Sequence, residues 1–304
     1  MLRTVMRVPT ATERNRIYIY IYIYIYLAGL LAEIFTAILQ GRAPPPDYWK
    51  TAAIRVLHKD GDEKEPANYR PICLIPIMYK LFSKILCSRI GGILDAAQPV
   101  EQAGFRSGFS CEDHLFTISQ LVEKALEFQM PLWVAAVDFK KAFDCIEHAS
   151  IWRALKEQKV PTGCVKVLRE LYRNQEGRVM TGAESRAFKI GRGTKQVDPI
   201  SPKLFNAVLQ GIFERLSARW GGNANGITVG ERRLTDLRFA DDVLLMAHSA
   251  GELESMLGDL AREAEKAGLQ LHFGKTKVLC NKFAREAEQR TELKVKVKCC
   301  RKGL

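Results

Sequence analysis

The sequence predicts an α+β fold, in which short strands, several of them in hairpins, are mixed with amphipathic helices. The continuous apolar run from Leu132 to Val137 is typical of a buried strand. Apolar runs on both sides of Asp241 and Asp242 indicate a tight β-hairpin with the two aspartates at its tip. Glu252 to Ala267 repeats apolar residues with helical spacing and is followed by a glycine, which indicates a helix.

The N-terminal half of the chain adds helices and a first hairpin. Apolar positions at helical spacing predict the helices, and two short apolar runs around a polar turn predict the paired strands. The expected helices cover Leu27–Gln40, Pro76–Leu94 and Glu112–Phe128, and the expected strands cover Ala52–His58 and Tyr69–Ile75.

The C-terminal half continues the same mixture after the buried strand. The expected helices cover His148–Lys159, Thr162–Asn174 and about Lys203–Arg219. The expected short strands are Arg178–Thr181, Arg186–Ile190 and the alternating Leu293–Lys298.

The bulk composition describes a basic globular protein. The 304 residues suffice for one large or two ordinary domains, and 46 Lys and Arg against 34 Asp and Glu give a net charge of +12. This charge suits a polyanionic partner such as nucleic acid or an acidic membrane surface. The 8 cysteines form no Cys-x-x-Cys pair, which disfavours zinc sites and disulfide frameworks and favours reduced thiols inside a cell.

The N-terminus contains five exact Ile-Tyr repeats, from Ile17 to Tyr26. As protein they resemble an aggregation-prone strand, whereas an AT dinucleotide repeat in the gene translates into the same alternation, and we favour a microsatellite or a gene-model artefact. A hydropathy window would extend a membrane span from the repeat to about Leu39. The strand-like period and Glu33 argue against such a helix, and we expect no membrane association.

Three aspartates point to phosphoryl transfer. Asp138 directly follows the buried strand, and Asp241 and Asp242 lie in the hairpin. A second carboxylate gives a turn no benefit and adds repulsion, which a cation such as Mg²⁺ relieves. Carboxylates converging from neighbouring strands can hold the two cations of a phosphoryl-transfer site. The alternative is a solvated acidic turn.

Six motifs around these residues, taken in order and spacing, closely resemble those of reverse transcriptases of the non-LTR (LINE-like) retrotransposon branch. The resemblance runs from about Leu27 to Asn281. The motifs are Asn68–Leu74 and Gln102–Gly108 in the fingers, and Ala136–Asp144, Gln196–Asn206, Phe239–Asp242 and Gly268–Lys277 in the palm.

The resemblance implies the fingers and palm of a right-hand polymerase, with an antiparallel palm sheet flanked by helices and the thumb absent or truncated. Residues 27–281 would form this domain, residues 1–26 a segment foreign to the family, and residues 282–304 a poorly ordered basic tail. The aromatic-Leu-Gly turn expected after Asn281 is missing, as is an upstream endonuclease domain. We therefore expect a fragment of a retroelement.

The resemblance also implies the chemistry of the three aspartates. Asp138 and Asp241 would be the principal ligands of two Mg²⁺ ions, which Mn²⁺ could replace, and Asp242 would bind metal or set the charge of the site. Phe143 matches the aromatic residue that lies under the sugar and excludes a 2′-hydroxyl. Without the motif, Phe143 would be an ordinary core residue.

Further positions are implied to bind substrate. Arg70 matches a residue that holds the incoming triphosphate, where a guanidinium suits phosphate geometry, and Lys59 is a weaker candidate. Gln196 matches a position near the nascent base pair, and Lys275 matches a palm lysine near the leaving pyrophosphate.

Other polar residues in the motifs have ordinary explanations. We expect Asp144 and Asp198 to cap helix N-termini rather than bind metal, and Arg106 and Lys140 to be solvated.

One position departs from the family pattern. Val197 stands where the family has Gly, which implies a positive φ or a close backbone approach that a β-branched residue tolerates poorly. Val197 would therefore displace Gln196 and weaken activity.

The expected function is RNA-directed DNA polymerisation, which extends a primer 3′-hydroxyl with deoxynucleoside triphosphates on an RNA template, with a DNA primer or target DNA, in the nucleus or cytoplasm. The alternative is a catalytically inactive retroelement relic that retains nucleic-acid binding. A membrane-anchored protein is the weakest alternative.

Overall fold

A computed structural model describes residues 26–181, 183–222, 224–287 and 298–299. The Ile-Tyr repeat up to residue 25, and residues 293–297 of the last expected strand, lie outside this part of the chain. Within it, no helix combines the length and the apolar character needed to cross a bilayer.

The described residues alternate between helices and strands throughout. All the helices expected from the sequence are present, with ends shifted by a few residues. The helices are α1 (26–39), α2 (Ile77–Ala96), α3 (Cys111–Glu127), α4 (Ala142–Cys145), α5 (His148–Glu157), α6 (Thr162–Tyr172), α7 (Ser201–Gly222), α8 (Ala250–Glu265) and α9 (Lys282–Ala287).

In the described part of the chain the strands are short and fall into three sheets. They are β1 (Thr51–His58), β2 (Tyr69–Leu74), β3 (Trp133–Val137), β4 (Glu176–Thr181), β5 (Ala183–Glu184), β6 (Phe188–Lys189), β7 (Ile227–Val229), β8 (Arg232–Leu234), β9 (Asp236–Phe239), β10 (Asp242–Ala247), β11 (Lys277–Cys280) and β12 (Lys298–Cys299).

The first sheet, called the fingers sheet below, has the order β2-β1-β4-β5, and β6 also pairs with β4. The expected hairpin of β1 and β2 is confirmed, with His58 opposite Tyr69. On its other side β1 pairs in parallel with β4, so that Ile54 lies opposite Val179. A parallel pair requires a crossover connection, and here the whole segment between the two strands supplies it.

The second sheet, called the palm sheet below, has the order β12-β11-β3-β10-β9. Strand β3 pairs antiparallel with β10 and with β11, and β10 pairs antiparallel with β9. Successive side chains of a strand point to opposite faces, so the apolar run of β3 fills two cores. The larger core lies against α5, α7 and α8, and the smaller one lies under α3.

Helix α3 illustrates how the sequence sets these elements. Ser110 accepts a hydrogen bond from the Asp113 amide, and the Asp113 carboxylate accepts one from the Ser110 amide, which forms a capping box. Leu121 and Ala125 are its buried residues, and they pack onto the palm sheet beside Val134. The local cap and the apolar face together place α3 over the sheet.

The hairpin between β9 and β10 corrects one expectation. Asp242 pairs with Phe239, so the two residues of the turn are Ala240 and Asp241, and Asp242 is already the first residue of β10. Ala240 has a φ of +59°, which a two-residue hairpin requires at its first turn position when the turn is of type II′. The expected tip of Asp241 and Asp242 is therefore wrong by one residue.

Candidate active site

The three aspartates converge at one end of the palm sheet. Val137 lies opposite Val243 at the end of the pairing of β3 with β10. Asp138 directly follows Val137, and Asp242 directly precedes Val243. Asp241 lies beside them in the turn. Two neighbouring strands and the turn of their hairpin thus bring the three carboxylates together.

Electrostatics shows how closely these groups interact. The pKa of Asp241 is raised from its ordinary value, first by the burial of its carboxyl group and then by the negative charges of Asp242 and Asp138. A hydrogen bond from its own backbone opposes this shift in pKa. Asp242 is exposed and Asp241 is half-buried. The negative charges of Asp242 and Asp138 therefore disfavour ionisation of Asp241, and a bound cation would relieve this repulsion.

Lys275 lies at the edge of this group. Its Nζ is 3.9 Å from Oδ2 of Asp138, and both side chains are partly exposed to solvent. The loop that carries Lys275 is docked on the backbone next to the carboxylate, because the His272 amide donates to the Asp138 carbonyl at 2.7 Å. The Thr276 hydroxyl in turn accepts a 3.4 Å hydrogen bond from the Asp138 amide.

The donor set fits a hard divalent cation. Within the described residues, no group of three or more His, Cys, Asp or Glu side chains is placed so that it could hold a metal ion. Mg²⁺ does not need such a group, because it is usually held by one or two carboxylates together with water and substrate phosphates. Asp138, Asp241 and Asp242 supply the negative charge for such a site, and the repulsion of Asp241 by the other two carboxylates favours the binding of a cation.

Phe143 lies in the short helix α4 and is part of an aromatic stack. Its ring stacks on Phe205 of α7 at a centroid distance of 4.4 Å and meets Phe105 edge-on at 6.3 Å. Thr194 binds the Phe143 carbonyl through its amide at 2.7 Å. Phe143 is partly buried and packs against the larger core.

The segment after Thr194 holds Gln196 in a defined place. The Gln196 side-chain amide donates a 2.9 Å hydrogen bond to Oδ1 of Asp144. Asp144 does not cap helix α4, contrary to expectation, because Lys141 occupies the N-cap position and Asp144 lies within the helix. Val197 has a φ of +67° and is 58% exposed, which agrees with the positive φ inferred from the family glycine.

Asp198 lies away from solvent and anchors two parts of the fold. Its carboxylate accepts a 2.6 Å hydrogen bond from the Tyr79 hydroxyl and another from the Ser83 hydroxyl, both on α2. It also accepts a 3.4 Å bond from the Ile200 amide just before α7. Burial raises the pKa of Asp198. The expectation of a plain helix cap is therefore too simple, since Asp198 ties α2 to the start of α7.

Lys195 belongs to the same buried group, and the sequence did not single it out. Its Nζ donates to the Trp49 carbonyl at 2.9 Å and lies 4.0 Å from the centre of the Tyr79 ring. Burial lowers the pKa of Lys195 to about 8, and the nearby Asp198 carboxylate limits the shift.

The remaining basic candidates occupy different surroundings. Arg70 is exposed on β2, opposite Leu57, in the fingers sheet rather than in the palm sheet that carries Asp138. Lys140 is exposed, as expected. Arg106 is not simply solvated, because its guanidinium donates to three backbone carbonyls, including that of Gln102 at 2.8 Å.

Comparison with known proteins gives matches in both sequence and fold. The family model described as reverse transcriptase (RNA-dependent DNA polymerase) matches residues 57–297. The Pol polyproteins of the type-1 retrotransposable element R2 from Popillia japonica and Nasonia vitripennis are 32% and 28% identical to the chain. Each alignment covers 79% of this chain but only 33% and 23% of the respective relative, so the chain spans a third or less of their length.

Among solved structures, apo telomerase from Candida tropicalis, truncated from its C-terminal domain, superposes with a TM-score of 0.59. The match covers 78% of this chain and 51% of the telomerase chain, at 12% sequence identity. At this identity the likeness establishes the fold.

Proposed function

Because the chain belongs to the reverse transcriptase family, we propose that it carries an RNA-directed DNA polymerase site, which adds deoxynucleotides from their triphosphates to a primer 3′-hydroxyl on an RNA template. The observation that carries this proposal is the position of Asp138, Asp241 and Asp242 together at the end of the palm sheet, where the negative charges of Asp242 and Asp138 help to raise the pKa of Asp241. A DNA primer or target DNA would complete the substrate.

Asp138 and Asp241 are assigned to hold two Mg²⁺ ions, which Mn²⁺ can replace. The bound cations supply charge stabilisation to the attacking and leaving oxygens. Asp242, the first residue of β10, adds negative charge that favours cation binding and raises the pKa of Asp241. Lys275, at 3.9 Å from Asp138, is a cation that can face the departing pyrophosphate.

Three further residues are assigned to the nucleotide. The exposed Arg70 offers a guanidinium fork to the triphosphate, as phosphate geometry favours. The Phe143 ring, held by its stack on Phe205, would exclude a 2′-hydroxyl by its volume. Gln196 would lie near the nascent base pair, in the orientation set by its hydrogen bond to Asp144.

A second candidate function is nucleic-acid binding without turnover. The observation that favours it is Val197, whose φ of +67° places a β-branched residue in a strained backbone region next to Gln196. The net charge of +12 would remain available for a polyanion even if catalysis were lost.

Primer extension on an RNA template with Mg²⁺ separates the two candidates. The variants to compare with the native chain are Asp241→Asn, Val197→Gly and the control Asp60→Asn, which changes an exposed loop carboxylate. We expect product from the native chain and from the Asp60 variant, none from Asp241→Asn, and more from Val197→Gly. Extension that survives Asp241→Asn would contradict the assigned site. RNA binding that weakens with salt, without product from the native chain or Val197→Gly, would establish the second candidate.

A further inference from the structure

Gln102 contacts the turn that carries Asp241. Its side chain is fully buried, and Oε1 accepts hydrogen bonds from the amide of Ala240 at 3.0 Å and from the amide of Gly104 at 2.9 Å. Ala240 is the first residue of the turn and directly precedes Asp241. One uncharged acceptor therefore binds the backbone next to the half-buried aspartate.

The chain around Gln102 also follows the edge of the palm sheet. The Ala103 amide donates to the Arg238 carbonyl at 2.9 Å, and the Arg238 amide donates to the Glu101 carbonyl at 2.7 Å. Gln102 and Arg238 form a parallel bridge. Residues 101–103 thus occupy the outer edge of β9, which fixes their position relative to the hairpin.

Gly104 brings this segment into direct contact with the turn. A Cβ on Gly104 would lie 2.9 Å from the Cα of Ala240 and closer still to its nitrogen, so only glycine fits. The Gly104 carbonyl accepts a 2.7 Å hydrogen bond from the Asn206 side chain of α7. The turn is therefore contacted on one side by Gln102 and Gly104, and Gly104 is itself hydrogen-bonded to helix α7.

The turn needs such support because of its backbone conformation. Ala240 is 4% exposed and adopts a φ of +59°, which disfavours a residue with a side chain. Its buried amide would lack a partner if Gln102 lost its acceptor, and an unpaired buried amide favours rearrangement of the backbone. A small displacement of Ala240 moves Asp241 with it.

We propose that Gln102 is a positioning residue, whose side-chain carbonyl holds the Ala240-Asp241 turn and thereby sets the metal affinity of the aspartate cluster. The catalytic consequence rests on the proposed function, whereas the hold on the turn does not. The Gln102 side chain accepts from the amides of Ala240 and Gly104 and acts on Asp241 through the backbone of Ala240.

Gln102→Met tests this inference, since methionine keeps the length of the side chain and removes its acceptor. Gln98→Met is the matched control. Gln98 is also buried and lies in the same loop between α2 and α3, yet within the part of the chain that the structure describes its side-chain amide has no hydrogen-bond partner. Both variants of the full chain are compared with the native protein by hydrogen exchange at Ala240 and by Mn²⁺ affinity, measured from the spin-resonance signal of free Mn²⁺.

We expect exchange of the Ala240 amide to become about ten- to a hundred-fold faster in Gln102→Met, and Mn²⁺ affinity to fall by about tenfold, with Gln98→Met unchanged in both measurements. Equal exchange in all three proteins, or equal effects of the two variants, would overturn the inference. If these shifts occur but the native chain extends no primer, the proposed function fails and the inference stands.

Discussion

The side-chain amide of Gln196 lies 2.9 Å from Oδ1 of Asp144 and is thereby tied to the helix that carries Phe143. The next residue, Val197, has the positive φ of +67°. A residue assigned to the nascent base pair is therefore held by a side-chain hydrogen bond on one side and adjoins a strained backbone position on the other.

Val197→Gly should stabilise the protein, because glycine adopts a positive φ without a steric penalty and the exposed valine side chain contributes little packing. We expect the free energy of unfolding to rise by about 1 kcal/mol. The gain is limited because glycine also has more conformational freedom than valine in the unfolded chain, which lowers the free energy of unfolding. Urea denaturation measures the change.

Val229→Gly is the matched control for this experiment. Val229 is similarly exposed at 54% but lies in strand β7, without a positive φ. The control should lose stability, because glycine weakens a strand. Loss of stability in both variants would show that Val197 is not strained.

Asp241→Asn should stabilise the metal-free protein at neutral pH. The pKa of Asp241 is higher in the folded state than in the unfolded state. The contribution of Asp241 to the free energy of unfolding is therefore fully present below the pKa of the unfolded state, and it is lost as the pH rises through the pKa of the folded state. Ionised Asp241 therefore opposes folding at neutral pH, and removing its charge should add up to about 1 kcal/mol.

Thermal unfolding in the presence of a chelator measures the effect of the Asp241 charge without metal, and thermal unfolding with Mn²⁺ measures the stabilisation by the bound cation. The native chain should gain thermal stability on Mn²⁺ binding, and Asp241→Asn should not. A variant that is less stable than the native chain in chelator would refute the repulsion inferred among the aspartates.

Gly104→Ala should disturb the hairpin that carries Asp241. The added methyl group would overlap the backbone of Ala240, and the cost should be about 1–3 kcal/mol of unfolding free energy together with a loss of Mn²⁺ affinity. Gly92→Ala is the control, because nothing lies within 4 Å of a Cβ at this position of α2. It should gain about 0.5–1 kcal/mol. Equal Mn²⁺ affinity in the two variants would argue against the close contact.

Lys195 should make stability depend on pH in the alkaline range. Its pKa falls from 10.5 to about 8 on folding, so between these values the unfolded chain binds more protons at Lys195 than the folded chain does. The free energy of unfolding should therefore rise with pH in this window, by up to about 1.4 kcal/mol per pH unit from this group.

Lys195→Met isolates this contribution. Denaturation at about pH 7.5 and about pH 9.5 should show the native chain gaining about 1–2 kcal/mol relative to the variant. Burial raises the pKa of the nearby Tyr79 and Tyr172 hydroxyls, so these phenols stay neutral in this range. A constant difference between the two proteins would mean that Lys195 titrates normally.

Phe143→Ala should relax the selection against ribonucleotides. Removing the ring that stacks on Phe205 opens space, and we expect the preference for deoxynucleotides to fall by at least about tenfold. The same change should cost about 2–3 kcal/mol of stability, because the ring is partly buried. The preference is a ratio within one protein, so it is independent of the active fraction. Phe143→Tyr should retain it, and an unchanged ratio in Phe143→Ala would reject the assigned role.

The elements of this fold were predictable where a local pattern determines them. The apolar run before Asp138 and the helical stripe of Leu253, Leu257 and Leu260 report burial on a single element, and both elements are present. The parallel pairing of β1 with β4 was not predictable, because nothing in the local sequence around Ile54 or Val179 indicates that these two distant residues lie opposite each other.

The candidate site shows the same division. The motif spacing led to Asp138, Asp241 and Asp242, which the strand register brings together. The turn was misplaced by one residue, since the positive φ of Ala240 is a property of the folded backbone and alanine gives no sign of it. The role of Gln102 was missed because its partner amide belongs to a distant part of the chain.

Strand β3 lies between β10 and β11, and both neighbours follow it by a long stretch of sequence. During synthesis, β3 therefore leaves the ribosome with both edges unpaired and an apolar sequence of the kind that associates with other chains. The aspartate cluster cannot assemble until β10 has emerged, and β3 is not enclosed until Cys280 has followed. Nascent chains that stop short of this residue should therefore be clients of chaperones.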